Sequence, residues 1–519
     1  MTRIILKRGE EDRHLKGHPW IFDNEIESII CNNGKTHTND ITKLQCGEIA
    51  DVETCRKKYV GRAFVNPQSK IVARLYSTSK EGVDEGFFRR RIRNAVNART
   101  QYDLKSECAR LVFAEADFLP GLIIDQYVGW DAKYLVDIDA SKAIKIPAAE
   151  RRFIFVLPES CTSGLIPSVT PQSGGVLNPT ARITFQNLQE KLIPAKKWLC
   201  IQFLSYAMEQ RKNEIIAALE YVIQTSGGTQ DAMLEQSDCG ERTSCEHRIS
   251  IEGIIEKSAA PVREKEGLPQ FEGIIKGSYP EGGIVIFENG FPFIVDLIGG
   301  QKTGHYLDQR DNHYLCAQYA RSIGLRSAVD GLDINLSPTN VSSKKLRVLD
   351  TFCYSGGFSI NICKNCDAEI TAVDSSAAAL SALKMNAKLN NVHSSITTVC
   401  ENVFDFFKRY EQRREHFDLI ILDPPAFAKS RSAMEAAIRG YKEINLKAIK
   451  LLRHGGILVT CSCSYAMTEE KFKDIIADAA FDAGKRLVQL DFRSQSSDHP
   501  ILVSYNESKY LKCGYYKVV

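Results

Sequence analysis

The sequence has no apolar stretch of roughly 18 residues, the length a membrane-spanning helix needs, and its start, Met1-Thr2-Arg3-Ile4-Ile5-Leu6-Lys7-Arg8, lacks the apolar core of a secretory signal. It also lacks an excess of one charge. The 67 basic and 64 acidic residues leave a net +3, too little to call for a nucleic-acid or membrane partner on net charge alone. The 16 cysteines in 519 residues show no repeated spacing and fall well below the roughly 8–10% of a disulfide scaffold. A cytoplasmic protein with reduced thiols is expected. With 44% hydrophobic and 25% charged residues the chain has enough apolar material for real cores, and at roughly 150 residues per domain its length allows about three domains.

From Ile4 to Tyr76 the apolar runs are short and punctuated by turns, as in Gly47–Val52 and Val60–Phe64 with Asn66-Pro67 after them, which predicts a small β domain. Near Phe87–Arg99 the period changes: Phe88, Ile92, Ala95 and Val96 recur at helical spacing while Arg89, Arg90, Arg93 and Arg99 occupy other faces. That basic helix is read either as a solvated face or as one turned to RNA. Cys161–Asn178 and Thr225–His247 are polar, Gly- and Ser-containing stretches that read as loops or insertions. Cys239, Cys245 and His247 in the second have no further cysteine pair at zinc-site spacing, so no metal is expected.

After Leu346 strand and helix alternate. Leu346–Leu349, Ile370–Val373, Leu419–Leu422 and Ile457–Thr460 read as strands; Gly357–Cys366, Ala377–Leu389 and Met434–Leu452 read as helices, and Thr468 caps a last one carrying Phe472, Ile475, Ile476 and Ala479 before Gly484. The alternation predicts a doubly wound, mostly parallel sheet with its ligands beyond the carboxyl ends of the strands. The first strand runs into Asp350-Thr351-Phe352-Cys353-Tyr354-Ser355-Gly356-Gly357-Phe358, and the second ends in Asp374. Paired glycines let backbone approach a ligand, and an acid at the next strand end can accept from ribose hydroxyls, so a nucleoside site is expected. The three spaced glycines of a dinucleotide fingerprint are missing, which argues against a dehydrogenase. Asp423-Pro424-Pro425-Ala426-Phe427 follows the third strand, its prolines fixing an extended turn that presents Asp423 to the cleft. Cys463 emerges after the fourth, whereas Cys461 sits nearer the strand and reads as packing.

Taken with Gly304-His305-Tyr306-Leu307-Asp308-Gln309-Arg310-Asp311-Asn312, the Thr351–Phe358 turn, Asp423-Pro424-Pro425-Ala426-Phe427 and Ser462-Cys463-Ser464, the chain resembles the class I S-adenosylmethionine-dependent methyltransferases that make 5-methylcytosine in bacterial 23S rRNA. His18-Pro19-Trp20-Ile21-Phe22 resembles the opening of that family's PUA domain; Arg110–Asp117 with Pro120-Gly121-Leu122, and Lys265-Glu266-Gly267-Leu268, resemble its central EEHEAD domain. The implied architecture is multidomain: a PUA-like β-barrel over residues 1–77, an α+β central domain over 78–300 with insertions near 131–195 and 225–247, and a C-terminal Rossmann-like α/β methyltransferase over 301–519. The 330–343 stretch also reads as an insertion.

The resemblance implies S-adenosylmethionine as cofactor, held along Asp350, Phe352, Ser355, Gly356, Gly357 and Asp423 with its ribose at Asp374, its adenine near Asn402, and Gln309 and Arg310 closing the site from the other side. Asn402 stands where the family usually has Asp. Cys463 is implied as the nucleophile that adds to carbon 6 of cytosine, making carbon 5 reactive, with Asp423 holding the base. An electropositive cleft is expected to lower the thiol's pKa. Ala426 stands where many RNA cytosine-5 methyltransferases carry a second cysteine. The implied partner is 23S rRNA or a large-subunit assembly intermediate, with a homodimer as a further expectation and no membrane. Two alternatives stay open: methylation at another base atom, and a noncatalytic RNA-binding or ribosome-assembly protein that keeps the fold.

Overall fold

The computed structural model describes every residue except 39, 105–106, 137–153, 157–181, 184–194, 226–250, 301, 331–344, 414 and 428–432. Cys239, Cys245 and His247 lie outside the described residues, as do most of the stretches 131–195, 225–247 and 330–343.

The N-terminal residues form a seven-stranded sheet in the order Trp20–Phe22, Ile71–Ser77, Tyr59–Val65, Ile49–Thr54, Thr2–Leu6, Ile26–Ile30, Thr36–Thr38. Alternate residues of Thr2–Leu6 turn inward, so Ile4 and Leu6 join Val52, Ala63 and Val72 in a core separate from the rest, as the period of a half-buried strand requires.

A second sheet runs Glu272–Gly277, Ile251–Lys257, Lys196–Phe203, Leu122–Asp131, Ile284–Glu288, Phe291–Val295, with Ala109–Phe113 beside Leu122–Asp131. Three short strands, Leu135–Val136, Ile154–Val156 and Arg182–Ile183, pair among themselves. Helix Glu85–Asn97 begins where Asp84 accepts from the Phe87 amide at 2.7 Å, the bond an N-cap supplies. Its Phe88, Ile92, Ala95 and Val96 are buried against Ile215 and Leu219 of helix Lys212–Thr225. The basic residues divide. Arg99 is buried and bidentate on Asp117 at 2.7 Å to each oxygen, a structural pair. Arg90 and Arg91 share Glu81 at 3.1 and 2.8 Å, and Arg89 lies over the Tyr221 ring.

In the third sheet, labelled β1 to β7 in chain order, the strands are β1 Leu346–Thr351, β2 Ala368–Asp374, β3 Ile396–Cys400, β4 Phe417–Leu422, β5 Leu452–Ser462, β6 Leu487–Arg493 and β7 Lys512–Val518. Their order is β3-β2-β1-β4-β5-β7-β6, the first five parallel and β7 antiparallel to both neighbours. The four strands expected from sequence are β1, β2, β4 and β5; β3, β6, β7 and helix Val403–Glu411 are additions. Thr468 caps the last helix through the Lys471 amide at 3.3 Å, and Gly484 ends it at φ +65°. Among the described residues no helix is long and apolar enough to cross a membrane.

The central and third sheets share one hydrophobic cluster, in which Tyr127, Trp198, Ile284 and Phe293 join Val348, Ile370, Leu419 and Val459. Helix Arg310–Asp330 packs along helix Gly357–Asn365 between them. The segment that carries Gln309 is therefore held from two sides.

Candidate active site

Thr351 pairs with Leu422 and Leu422 with Thr460, so the carboxyl ends of β1, β4 and β5 bring Asp350, Asp423 and Cys463 to one edge. The strand order reverses between β1 and β4, which opens a crevice there.

The turn after β1 is strained. Phe352 and Tyr354 adopt left-handed φ of +59° and +46°, and Gly356 +92°, a region non-glycine residues rarely enter. Asp374 holds the turn, its two carboxylate oxygens accepting from the Tyr354 amide at 3.0 Å and the Ser376 amide at 2.8 Å. The Ser355 carbonyl accepts from Asn386 at 3.2 Å. At Gly357 a Cβ would lie 2.3 Å from Cε1 of His313, so the missing side chain makes room for the histidine. At Gly356 a Cβ would meet Leu383 at 2.9 Å.

The Asp350 carboxylate accepts from Ser359 Oγ at 2.6 Å, and its Oδ1 is buried without a hydrogen-bond partner among the described residues. Burial pushes this carboxyl up to about 7. Asp423 accepts from Gln309 Nε2 at 3.0 Å, and Gln309 in turn accepts from Asn312 at 2.7 Å. Burial, with the nearby Asp308 charge, pushes Asp423 up to about 6, which leaves it able to accept or donate near neutral pH. Cys463 is half-buried with Sγ 3.8 Å from the Pro424 carbonyl oxygen. Cys461 is wholly buried, 3.2 Å from the Cys513 sulfur, and packs as expected.

The Arg310 guanidinium donates to the Cys108 carbonyl at 2.6 Å and Asp498 at 3.0 Å and covers the Tyr102 ring, joining residues beside the second sheet to the C-terminal half. The thiol is not in the electropositive setting expected. Burial pushes Cys463 up to about 11, and Lys302 on one side is opposed by Asp423 and Asp308 on the other. Asn402 is exposed beyond β3 and caps helix Val403–Glu411 through the Phe404 amide at 2.9 Å.

Other groups at this edge escaped the sequence reading. Asp308 accepts from Tyr510 at 2.5 Å and pairs with Lys302 at 3.5 Å, and Lys302 lies over the Tyr306 ring, which meets Tyr354 edge to face at 5.0 Å. Glu288 accepts from His305 and His313, each at 2.7 Å. Burial would raise its carboxyl, but the two imidazoles outweigh burial and hold it well below the usual range. The only sequence signal for these was the Gly304–Asn312 run. A cavity of about 610 Å³ lies away from this edge, between the N-terminal sheet and helix Glu85–Asn97, lined by Tyr76, Arg90, Arg91, Asn94 and Phe118.

Comparison with known proteins gives two family matches: a PUA-like domain over residues 4–78 and a methyltransferase domain over 342–503. The chain is 31% identical over 516 residues to the ribosomal RNA large subunit methyltransferase I of Tolumonas auensis, covering 98% of both. It is 30% identical over 514 residues to the protein of the same name from Klebsiella pneumoniae, covering 98% of this chain and 96% of that one. Among solved structures, a methyltransferase complexed with SAH, SMU.776, aligns over 100% of both chains with TM-score 0.66 and 17% identity. A SAM-dependent methyltransferase from Streptococcus mutans aligns over 100% of both with TM-score 0.65 and 17% identity. These two likenesses are of fold.

Proposed function

Because this chain belongs to the ribosomal RNA large subunit methyltransferase I family, we propose that it methylates carbon 5 of a cytosine in 23S rRNA through a covalent adduct with Cys463. The observation that carries this reading is the juxtaposition of Cys463 and Asp423, the thiol 3.8 Å from the carbonyl of the proline that follows the acid, at the crevice beside the β1 turn.

S-adenosylmethionine supplies the methyl group. The residues fit it: the unpartnered buried Oδ1 of Asp350 awaits a polar group, Phe352, Ser355, Gly356 and Gly357 form the turn, and Asp374 keeps lone pairs for a ribose. Asn402 stands nearby for the adenine and Gln309 orients Asp423.

Asp423 binds the amino edge and ring nitrogen 3 of cytosine, and its raised pKa lets it share a proton with that nitrogen. The Cys463 thiolate forms a bond to carbon 6 while the electrons of the C5=C6 bond move to carbon 5, which then takes the methyl. Loss of the carbon-5 proton to a base returns those electrons, restores the double bond and expels the thiolate. The target base must be unpaired or flipped out to reach this edge. The N-terminal PUA-like domain and helix Glu85–Asn97 grip the flanking RNA, with Arg90, Arg91 and Phe118 around the 610 Å³ cavity supplying cationic and aromatic contacts.

Mapping of modified cytosines in 23S rRNA from cells with and without this gene identifies the product. Cys463→Ala is expected to lower methyl transfer by about three orders of magnitude. A variant that methylates at the parent rate overturns the covalent route and favours attack through a base lone pair.

A further inference from the structure

Lys512 is a lysine where a lysine is costly. It is 2% exposed, and its ammonium donates to two carbonyls, of Ser464 at 2.7 Å and Tyr510 at 2.8 Å, with no carboxylate within ion-pair distance among the described residues. Glu469, the acid facing it, is engaged by Lys473 and Lys509, each at 2.7 Å. Burying an ammonium without a counter-ion disfavours its charge, and burial here pulls Lys512 down to about 8. An apolar residue of the same length would fold more cheaply, so the charge needs a partner that arises during function.

The backbone identifies that partner. On antiparallel β7, Lys512 pairs with Ser462 of β5, and its side chain then reaches the carbonyl of Ser464. Lys512 is thus tied to the residues on both sides of Cys463, to Ser462 through its backbone and to Ser464 through its ammonium. We propose that Lys512 is a positioning residue for methylation, fixing the Cys463 turn and serving as counter-charge to the Cys463 thiolate. This rests on Cys463 being the nucleophile.

The groups facing the thiol are Asp423 after β4, Asp308 and Tyr306 from the turn before helix Arg310–Asp330, Lys302 from the loop ahead of it, Tyr441 from helix Met434–Leu451, and Lys512. Burial, with the Asp423 and Asp308 charges, keeps the thiol protonated in the free chain. When cytosine engages Asp423 that negative charge is taken up by the base, the thiol proton leaves to solvent, and the buried ammonium remains. Lys302, which also acts on the thiol, is half exposed and already paired with Asp308.

The test is peptide-resolved iodoacetamide labelling of Cys463 in the full-length chain as a function of pH, beside methyl transfer. Lys512→Met is expected to slow labelling near pH ~7, where the ammonium is still charged, by about tenfold and move the profile upward, with Lys512→Arg restoring it. Its melting temperature should be equal or higher, which separates the effect from unfolding. An unchanged labelling profile, even with methylation lost, overturns the proposal and leaves a structural clamp; so does a larger shift in Lys302→Met. Full methylation by Cys463→Ala would instead sink the nucleophile reading and leave the labelling result standing.

Discussion

Asp350 and Gly357 show how far a single position can be understood from its neighbours in sequence. Both lie at a strand-to-helix turn that periodicity locates, yet what each does depends on groups distant in the chain. His313 fills the space beside Gly357, and enclosure leaves Asp350 with one satisfied oxygen. Its native carboxyl keeps a proton up to about pH 7, whereas an unfolded chain releases it near pH ~3.9. The native state therefore binds more protons across that window, and stability falls as pH rises through it. Asp350→Asn is expected to melt about 2–4 °C above the parent at pH ~8 and together with it at pH ~4, by calorimetry. Parallel melting curves at both pH values would remove this account.

At the scale of elements, the strand Ile284–Glu288 ends in the carboxylate that receives His305 from the approach to the site and His313 from helix Arg310–Asp330. One side chain fastens the central sheet to the helix behind the β1 turn. Nothing in the spacing of Glu288, His305 and His313 announces this, because the three belong to different elements and meet only when the sheets pack. Glu288 lies far below its unfolded value, so its contribution is present above about pH 4.3 and lost as pH falls through the native value; His313 is raised, so its contribution is complete below about pH 6.5 and lost above its native value. Glu288→Gln should cost about 3–5 kcal/mol in urea unfolding, with the deficit greatest between those two pH values. A deficit that keeps growing toward acid pH would contradict the pairing. The apolar stripe of helix Glu85–Asn97, in contrast, was legible near Phe87–Arg99 because it is a local feature, whereas its Asp84 cap was not read.

For the whole molecule, the buried ion pairs between the N-terminal sheet and the rest run through Arg74. It is buried, pairs with Glu266 at 2.6 Å and Glu115 at 3.3 Å, and lies over Trp20, whose indole donates to Glu115 at 2.8 Å. Tyr505 of the C-terminal domain packs edge to face on the same Trp20 at 4.8 Å. Arg74→Met leaves two buried carboxylates without their cation. It is expected to cost about 3–5 kcal/mol and to let the N-terminal sheet, which has its own core, unfold in a separate calorimetric transition. One unshifted transition would show that the joint lies elsewhere.

Hydrophobic periodicity and turn residues by themselves determined the alternating α/β C-terminal half, the strand ends bearing Asp350, Asp374, Asp423 and Cys463, and the amphipathic helices, because each depends on residues a few positions apart. The edge strand β3 and the terminal β6 and β7 were not legible: Ile396–Cys400 is short and half exposed, and β7 takes its place by pairing with a strand some fifty residues away. Only the tertiary structure decided which charges surround the thiol. Electrostatic surroundings are set by groups brought together from different elements, here Lys302, Asp308, Asp423 and Lys512, whose separations along the chain carry no periodic signal.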